Sequence, residues 1–171
     1  MKKHNGMRAL DVVVLLKIIS YKNFDWKTRD LANDLSISLS EISESLNRSM
    51  IGGLLDGTKK RVFKRNLFDF LQYGIRHVFP QMPGSLAIGM PTAHSAPVLQ
   101  GKIISEDKYV WADFEGTIKG ETIEPLFGSV PFACKKDIVL YNMLALVDVL
   151  RVGKTREINI ALQELQRLFD I

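Results

Sequence analysis

Residues 31–55 read LANDLSISLSEISESLNRSMIGGLL, and the spacing of apolar residues in this stretch decides the N-terminal architecture. Leu31, Ala32 and Leu35 share one face of a short first helix, with the small Ala32 where a crossing helix must come close. Ser36, Ile37 and Ser38 form a turn. Ser38 then opens a second helix as its N-cap, and Glu41, three residues on, predicts a capping box that satisfies two otherwise unpaired backbone N–H groups. Ile42, Leu46 and Met50 recur at i, i+4 and i+8 and predict the buried stripe of this second helix. Its opposite face carries Ser40, Ser43, Glu44, Asn47 and Arg48, short polar groups and one guanidinium turned away from the core. Such a face suits a helix lying in a major groove, where side chains of these types reach base edges.

The wording of the segment resembles the winged helix-turn-helix repressors of bacteria, the MarR-type regulators in particular, whose pattern is roughly LAxxLxISxSxISxxLxRLxxxGLL. Leu31, Ala32, Leu35, Ile37, Ser38, Ser40, Ile42, Ser43, Leu46, Arg48, Gly53, Leu54 and Leu55 all match it. Ser36 stands where Gly is common, and Glu41 and Glu44 put negative charge on a helix expected to face phosphates. The resemblance covers residues 1–80 and implies a DNA-binding head there. Thr28, Arg29 and Ser38 join the exposed side chains of the second helix in the candidate DNA-binding set.

Beyond Leu55, Asp56-Gly57-Thr58 is a turn signal, followed by Lys59-Lys60-Arg61-Val62-Phe63-Lys64-Arg65. In a winged helix the corresponding segment is a β-hairpin whose tip reaches the nucleic-acid backbone, so Lys59, Lys60, Arg61, Lys64 and Arg65 complete the candidate set. The segment is short for a full wing, and two or three residues per strand are expected. A helix over about Asn66 to His77 should turn Leu67, Phe68, Phe70, Leu71, Ile75 and Val78 inward before Pro80 ends it. Upstream, Met7 to Ser20 carries Leu10, Val13, Val14, Lys17 and Ile18 at helical spacing. The apolar run Val12 to Leu16 exceeds what one stripe needs, which implies either central burial or a dimer contact. Trp26 reads as a hydrophobic anchor at the entry of the next helix.

The stretch PQMPGSLAIGMPTAHSAP, residues 80–97, holds four of the six prolines. It predicts an ordered arm over 81–100 without regular structure, laid along the surface by Leu86, Ile88, Met90 and Val98. Tyr109 to Ala112 and Thr117 to Lys119 flank Asp113-Phe114-Glu115-Gly116 and read as a β-hairpin. The chain closes with helices over Lys136 to Val152 and Thr155 to Phe169, joined at Gly153 as an αα-hairpin. The expected fold is therefore mainly α with small β, an α+β chain. It divides into a winged head (1–80), a proline-rich arm (81–100) and a C-terminal dimerisation or sensing region (101–171).

With 46% hydrophobic and 25% charged residues the chain can bury a real core. Residues 1–80 hold 14 Lys/Arg against 8 Asp/Glu, a net +6, whereas residues 81–171 hold 9 against 11, a net −2. A basic N-terminal half joined to a slightly acidic C-terminal half points the first toward a polyanion. The lone Cys134 can form no internal disulfide, which fits a reducing cytoplasm. Neither a membrane span nor a signal peptide is expected.

Several residues tempt toward other chemistry. Gly153-Lys154-Thr155 resembles the end of a phosphate-binding loop, but Asp148 stands where that loop needs its other Gly. Arg151, Lys154 and Arg156 read instead as an ion-pair cluster with Asp148 at the hairpin bend. Cys134 beside Lys135 and Lys136 invites a redox reading without a resolving cysteine, and His94 has no partner base or nucleophile motif nearby. Neither a catalytic constellation nor a metal or cofactor set emerges. The residues imply a DNA-binding transcriptional regulator, a dimeric repressor with duplex DNA as partner. The competing class is a winged helix that binds another protein, as in a toxin or phage-defence operon. Glu41 and Glu44 favour that class and the Lys59 to Arg65 cluster opposes it.

Overall fold

Every residue from Leu10 to Ile19 in helix α1 (Ala9–Ser20) is buried, which makes this the central helix of the fold rather than one side of a dimer. The computed structural model describes residues 5–171. Burial on all sides of α1 requires that its two charged members be neutralised. Asp11 is paired with Arg48, and Lys17 lies 2.8 Å from Asp137 and 3.2 Å from Asp34.

On one side α1 meets α2 (Thr28–Leu35) and α3 (Leu39–Ile51); on the other it meets α7 (Ile138–Val152). Trp26 is buried just before α2, as its role of helix-entry anchor predicts. The chain then forms α4 (Lys64–Tyr73) and α5 (Ile75–Val78), divided at Gly74. The single helix expected over Asn66 to His77 thus begins earlier and is broken. A side chain at Gly74 would press within 3.0 Å of both the Phe70 ring and the Phe70 carbonyl. The break turns Val78 outward, contrary to the helical spacing, and leaves Phe70 half-buried.

Residues 81–100 correct a second expectation. The arm contains a regular strand, β1 (Leu86–Pro91), followed by short 3-10 turns at Ala93–Ser95 and Pro97–Leu99. Its prolines fall outside the strand or at its last residue, where a missing N–H interrupts little of the ladder. β1 pairs antiparallel with both β2 (Tyr109–Ala112) and β3 (Ile118–Thr122), and β2 and β3 pair parallel with each other. The three strands close on themselves. The expected β2–β3 hairpin is therefore absent: residues 113–117 carry the chain across β1 at Gly89. That crossing needs two glycines, because a Cβ on Gly89 would lie 2.0 Å from the Trp111 carbonyl oxygen and one on Gly116 would lie 2.4 Å from the Gly89 backbone. His94 sits in the first 3-10 turn with Nε2 2.7 Å from the Asp107 carbonyl oxygen, a histidine held within its loop.

After a short helix α6 (Val130–Cys134), α7 and α8 (Thr155–Phe169) form the αα-hairpin. All residues from Met143 to Arg151 are buried, again by contacts within one chain. One apolar core runs from Leu10 through Leu67 and Trp111 to Phe169. The boundaries at 80 and 100 consequently mark changes of secondary structure, and not separate cores. The apolar run of α1 that could have met a second copy is used inside the protomer, and so are the buried residues of α7. Architecture and content are α+β, with no helix among the described residues long and apolar enough to cross a membrane.

Candidate nucleic-acid interface

The turn between α2 and α3 is built around Ser36, whose φ of 52° is left-handed. This is the backbone position where Gly is common in the resembled pattern, and a serine here accepts the strain of that region. Ile37 turns into the core, and its N–H reaches the Ala32 carbonyl at 3.0 Å. Ser38 caps α3: its hydroxyl oxygen accepts the Glu41 N–H at 3.2 Å and donates its proton to the Glu41 carboxylate at 3.1 Å. Only half of the expected capping box forms, since the Glu41 carboxylate takes the serine hydroxyl instead of the Ser38 backbone N–H.

The buried face of α3 comprises Ile42, Ser45, Leu46, Arg48 and Ser49. Met50 is half-buried, so the stripe is rotated from Ile42/Leu46/Met50 toward the two serines. Both side chains are small and fully buried, and their hydroxyls have no hydrogen-bond partner among the described residues. Rotation carries Arg48 inward. Its Nε and Nη2 donate to the two Asp11 oxygens at 2.9 and 2.7 Å, and these bonds hold the guanidinium pKa above its ordinary value. Arg48 is thereby removed from the set of outward side chains. A base-reading role for it is corrected by geometry: Nε and Nη2 are spent on a buried carboxylate, Nη1 lies 3.8 Å from Glu44, and the side chain is only 8% exposed.

Ser38, Ser40, Ser43 and Glu44 remain exposed, Asn47 is half-buried, and Leu39 and Ile51 flank them at 53% and 58% exposure. Arg29 is exposed and Thr28 half-buried at the start of α2.

The basic segment folds back beside this face. A single bridge, Leu55 to Val62, is its whole ladder, which is shorter than the two or three residues per strand expected. Asp56 organises the turn by accepting the backbone N–H groups of Lys60 at 2.8 Å and Arg61 at 3.0 Å and the Thr58 hydroxyl at 2.6 Å. The bond from Arg61, then that from Thr58, lower its pKa to about 2. Lys59, at φ 59°, sends its ammonium to the Asn47 side-chain oxygen. Lys60 points the other way, to the Trp26 carbonyl, with Nζ 4.4 Å from the Trp26 ring centre. Arg61 is exposed. Lys64 and Arg65 belong to the first turn of α4 and not to the turn segment; cations there oppose the helix dipole.

The remaining candidates resolve as structural. Asp148 accepts from Thr92 Oγ1 and Trp111 Nε1, both at 2.7 Å, and from Arg151 at 2.8 Å. Burial pushes its carboxyl pKa up against the pull of those partners. Arg151 also reaches the Phe79 and Glu124 carbonyls at 3.0 Å, so this pair latches α7 to the sheet. Lys154 and Arg156 stay exposed and outside the pair, which narrows the expected cluster to Arg151 and Asp148. Cys134 is buried, and burial raises its thiol pKa, the opposite of what a reactive thiolate needs.

Compared with known proteins, the chain matches no family model, no curated protein and no solved structure.

Proposed function

We propose that this chain is a sequence-specific DNA-binding transcriptional regulator of the cytoplasm, a repressor that acts as a homodimer through a winged helix-turn-helix head in residues 1–80. The observation that carries the reading is the contact between Lys59 and Asn47. It sets the cationic turn directly against the exposed polar face of α3. A helix face of short polar groups flanked by a basic turn provides both kinds of contact that duplex recognition needs: base edges from the helix and phosphates from the turn. Ser40, Ser43, Glu44 and Asn47 are the base-facing side chains of this proposal. Lys59, Arg61, Lys64, Arg65 and Arg29 are its phosphate-facing ones. Dimerisation follows from the small footprint of one such helix, and the partner must meet a surface other than α1 or α7.

A second reading, a winged helix that docks another protein, is favoured by the exposed Leu39 and Ile51 beside Glu41 and Glu44. Fluorescence anisotropy with the promoter upstream of the chain's own gene separates the two. Binding at least about a thousandfold tighter than to random duplex supports the DNA reading. Equal affinity for both duplexes, or none for either, overturns it in favour of protein docking.

A further inference from the structure

Behind the cationic turn, on the side away from α3, lies a groove of about 560 Å³ that the expected DNA-contact set does not explain. Lys22, Lys60, Arg61, Lys64 and Arg167 line it against a single carboxylate, Asp170. These cations arrive from three separate parts of the chain: the end of α1, the turn into α4, and the last turn of α8. Lys22 and Arg167 complement the C-terminal dipoles of α1 and α8. Lys60 is held by the Trp26 carbonyl and ring and lies 3.9 Å from Asp25, but nothing of that kind accounts for Arg61 and Lys64. Lys22, Arg61 and Lys64 have no ion-pair partner among the described residues, whereas Arg167 donates through Nε and Nη2 to the Glu164 carboxylate. Gathering like charges in one concavity is unfavourable unless an anion shares it, and a cleft concentrates the resulting field. Ile18, Ile19, Val139 and Leu168 also line the groove, next to Trp26, so it offers a non-polar surface as well as charge.

We infer that this groove binds a small organic molecule carrying two or three phosphates, of mononucleotide size. The volume lies within the range of small-molecule sites. The unpaired Arg61 guanidinium favours the planar, multi-donor recognition of phosphate oxygens, and a monoanion would leave part of the charge on Lys22, Arg61 and Lys64 unneutralised. The apolar lining receives the ring of the ligand. Lys60, Arg61 and Lys64 belong both to this lining and to the basic segment beside α3, so occupancy releases duplex DNA. That regulatory step, unlike the site itself, rests on the proposed DNA-binding function.

The test uses the full chain without DNA, titrated calorimetrically with ATP and with inorganic pyrophosphate, and then the double variant Lys22→Ala/Arg167→Ala, whose residues lie outside the proposed DNA surface. The site is supported if ATP binds and the double variant weakens it by roughly tenfold to a hundredfold, the loss of two solvent-exposed charge contacts, with the fold retained by far-ultraviolet circular dichroism. Pyrophosphate binding more weakly than ATP supports the role of the apolar lining. No binding of either probe at millimolar concentration, or equal binding by the double variant, overturns the site. In a second arm, ATP is added to a protein–duplex mixture. Displacement that disappears in the double variant supports the regulatory step, and displacement equal in both proteins overturns it. If ATP binds the groove while no duplex binds at all, the DNA reading falls and the site stands.

Discussion

Replacing Arg48 by Met separates the geometry found here from the outward, base-reading arginine that the sequence implies. The guanidinium makes two bonds to Asp11, at 2.9 and 2.7 Å, and the Asp11 side chain is fully buried. In the variant that carboxylate retains the Arg8 N–H at 2.8 Å but loses its counter-charge. Two charge-assisted bonds at about 1.5–3 kcal/mol each, or equivalently the loss of one member of a buried ion pair, place the cost at about 3–5 kcal/mol. That is a large share of the stability of an ordinary domain. In urea, followed by far-ultraviolet circular dichroism at pH 7, the midpoint should fall by about 2 M for a slope near 2 kcal/mol/M. The double variant Asp11→Leu/Arg48→Met should recover most of the loss, because an apolar pair leaves no orphaned charge. A surface arginine that reads bases would change stability by less than about 0.5 kcal/mol. An unchanged midpoint in Arg48→Met, together with selective loss of cognate DNA binding, would refute the buried pair.

The combined variant Lys59→Ala/Arg61→Ala should weaken binding to every duplex alike and flatten the logarithmic salt dependence by roughly 0.9 per lost phosphate contact; an unaltered slope removes the turn from the interface. Ser36→Gly relieves a left-handed φ of 52° and should raise stability by about 0.5–1 kcal/mol with the fold intact, checked by thermal melting; a loss instead shows that the serine side chain matters more than the backbone. The Asp137 side chain is only 16% exposed, and burial by itself raises its pKa, yet the Leu140 N–H, Lys17 and Ser20 bonds hold it below its ordinary value. Its contribution to stability is thus complete above about pH 4 and lost as pH falls through the depressed value. Asp137→Asn should flatten that acid limb of the stability profile, and an identical limb in the variant rules out this origin.

Signals carried by neighbouring residues were the legible ones. The Ser38 cap, the turn after α2 and the Gly153 break between α7 and α8 all rest on contacts within a few residues, and the elements lie close to where these signals set them. The phase of α3 was not legible, because Ser45 and Ser49 read as polar while both are small enough to be fully buried. The inward turn of Arg48 is invisible in the sequence for a related reason: its partner lies 37 residues away. β1 hides in a proline-rich stretch whose pattern only acquires meaning once Gly89 meets Trp111 and Gly116. The groove behind the turn is assembled from residues as distant as Lys22 and Arg167, so no window of sequence contains it.

Withdrawal of Arg48 sharpens what the DNA proposal requires. α3 is left with Asn47, Ser40, Ser43 and Glu44 as groups able to meet base edges, and Asn47 already engages Lys59. An asparagine bidentate to adenine supplies about 1–3 kcal/mol of discrimination, and a glutamate accepting from cytosine is a single-bond contact of lower value. One helix of this kind therefore provides only a few kcal/mol, at or below the low end of the 4–10 kcal/mol that separates specific from non-specific binding. Two copies related by a dyad double the term and link the half-sites at high effective concentration. Since α1 and α7 are buried within one protomer, that dyad must form through another surface. Sedimentation at micromolar concentration, with and without an inverted-repeat duplex, tests the requirement. Two chains on one repeat are expected. A single chain that still prefers its site a thousandfold would contradict the arithmetic of α3 and move base recognition to a part of the molecule other than this helix.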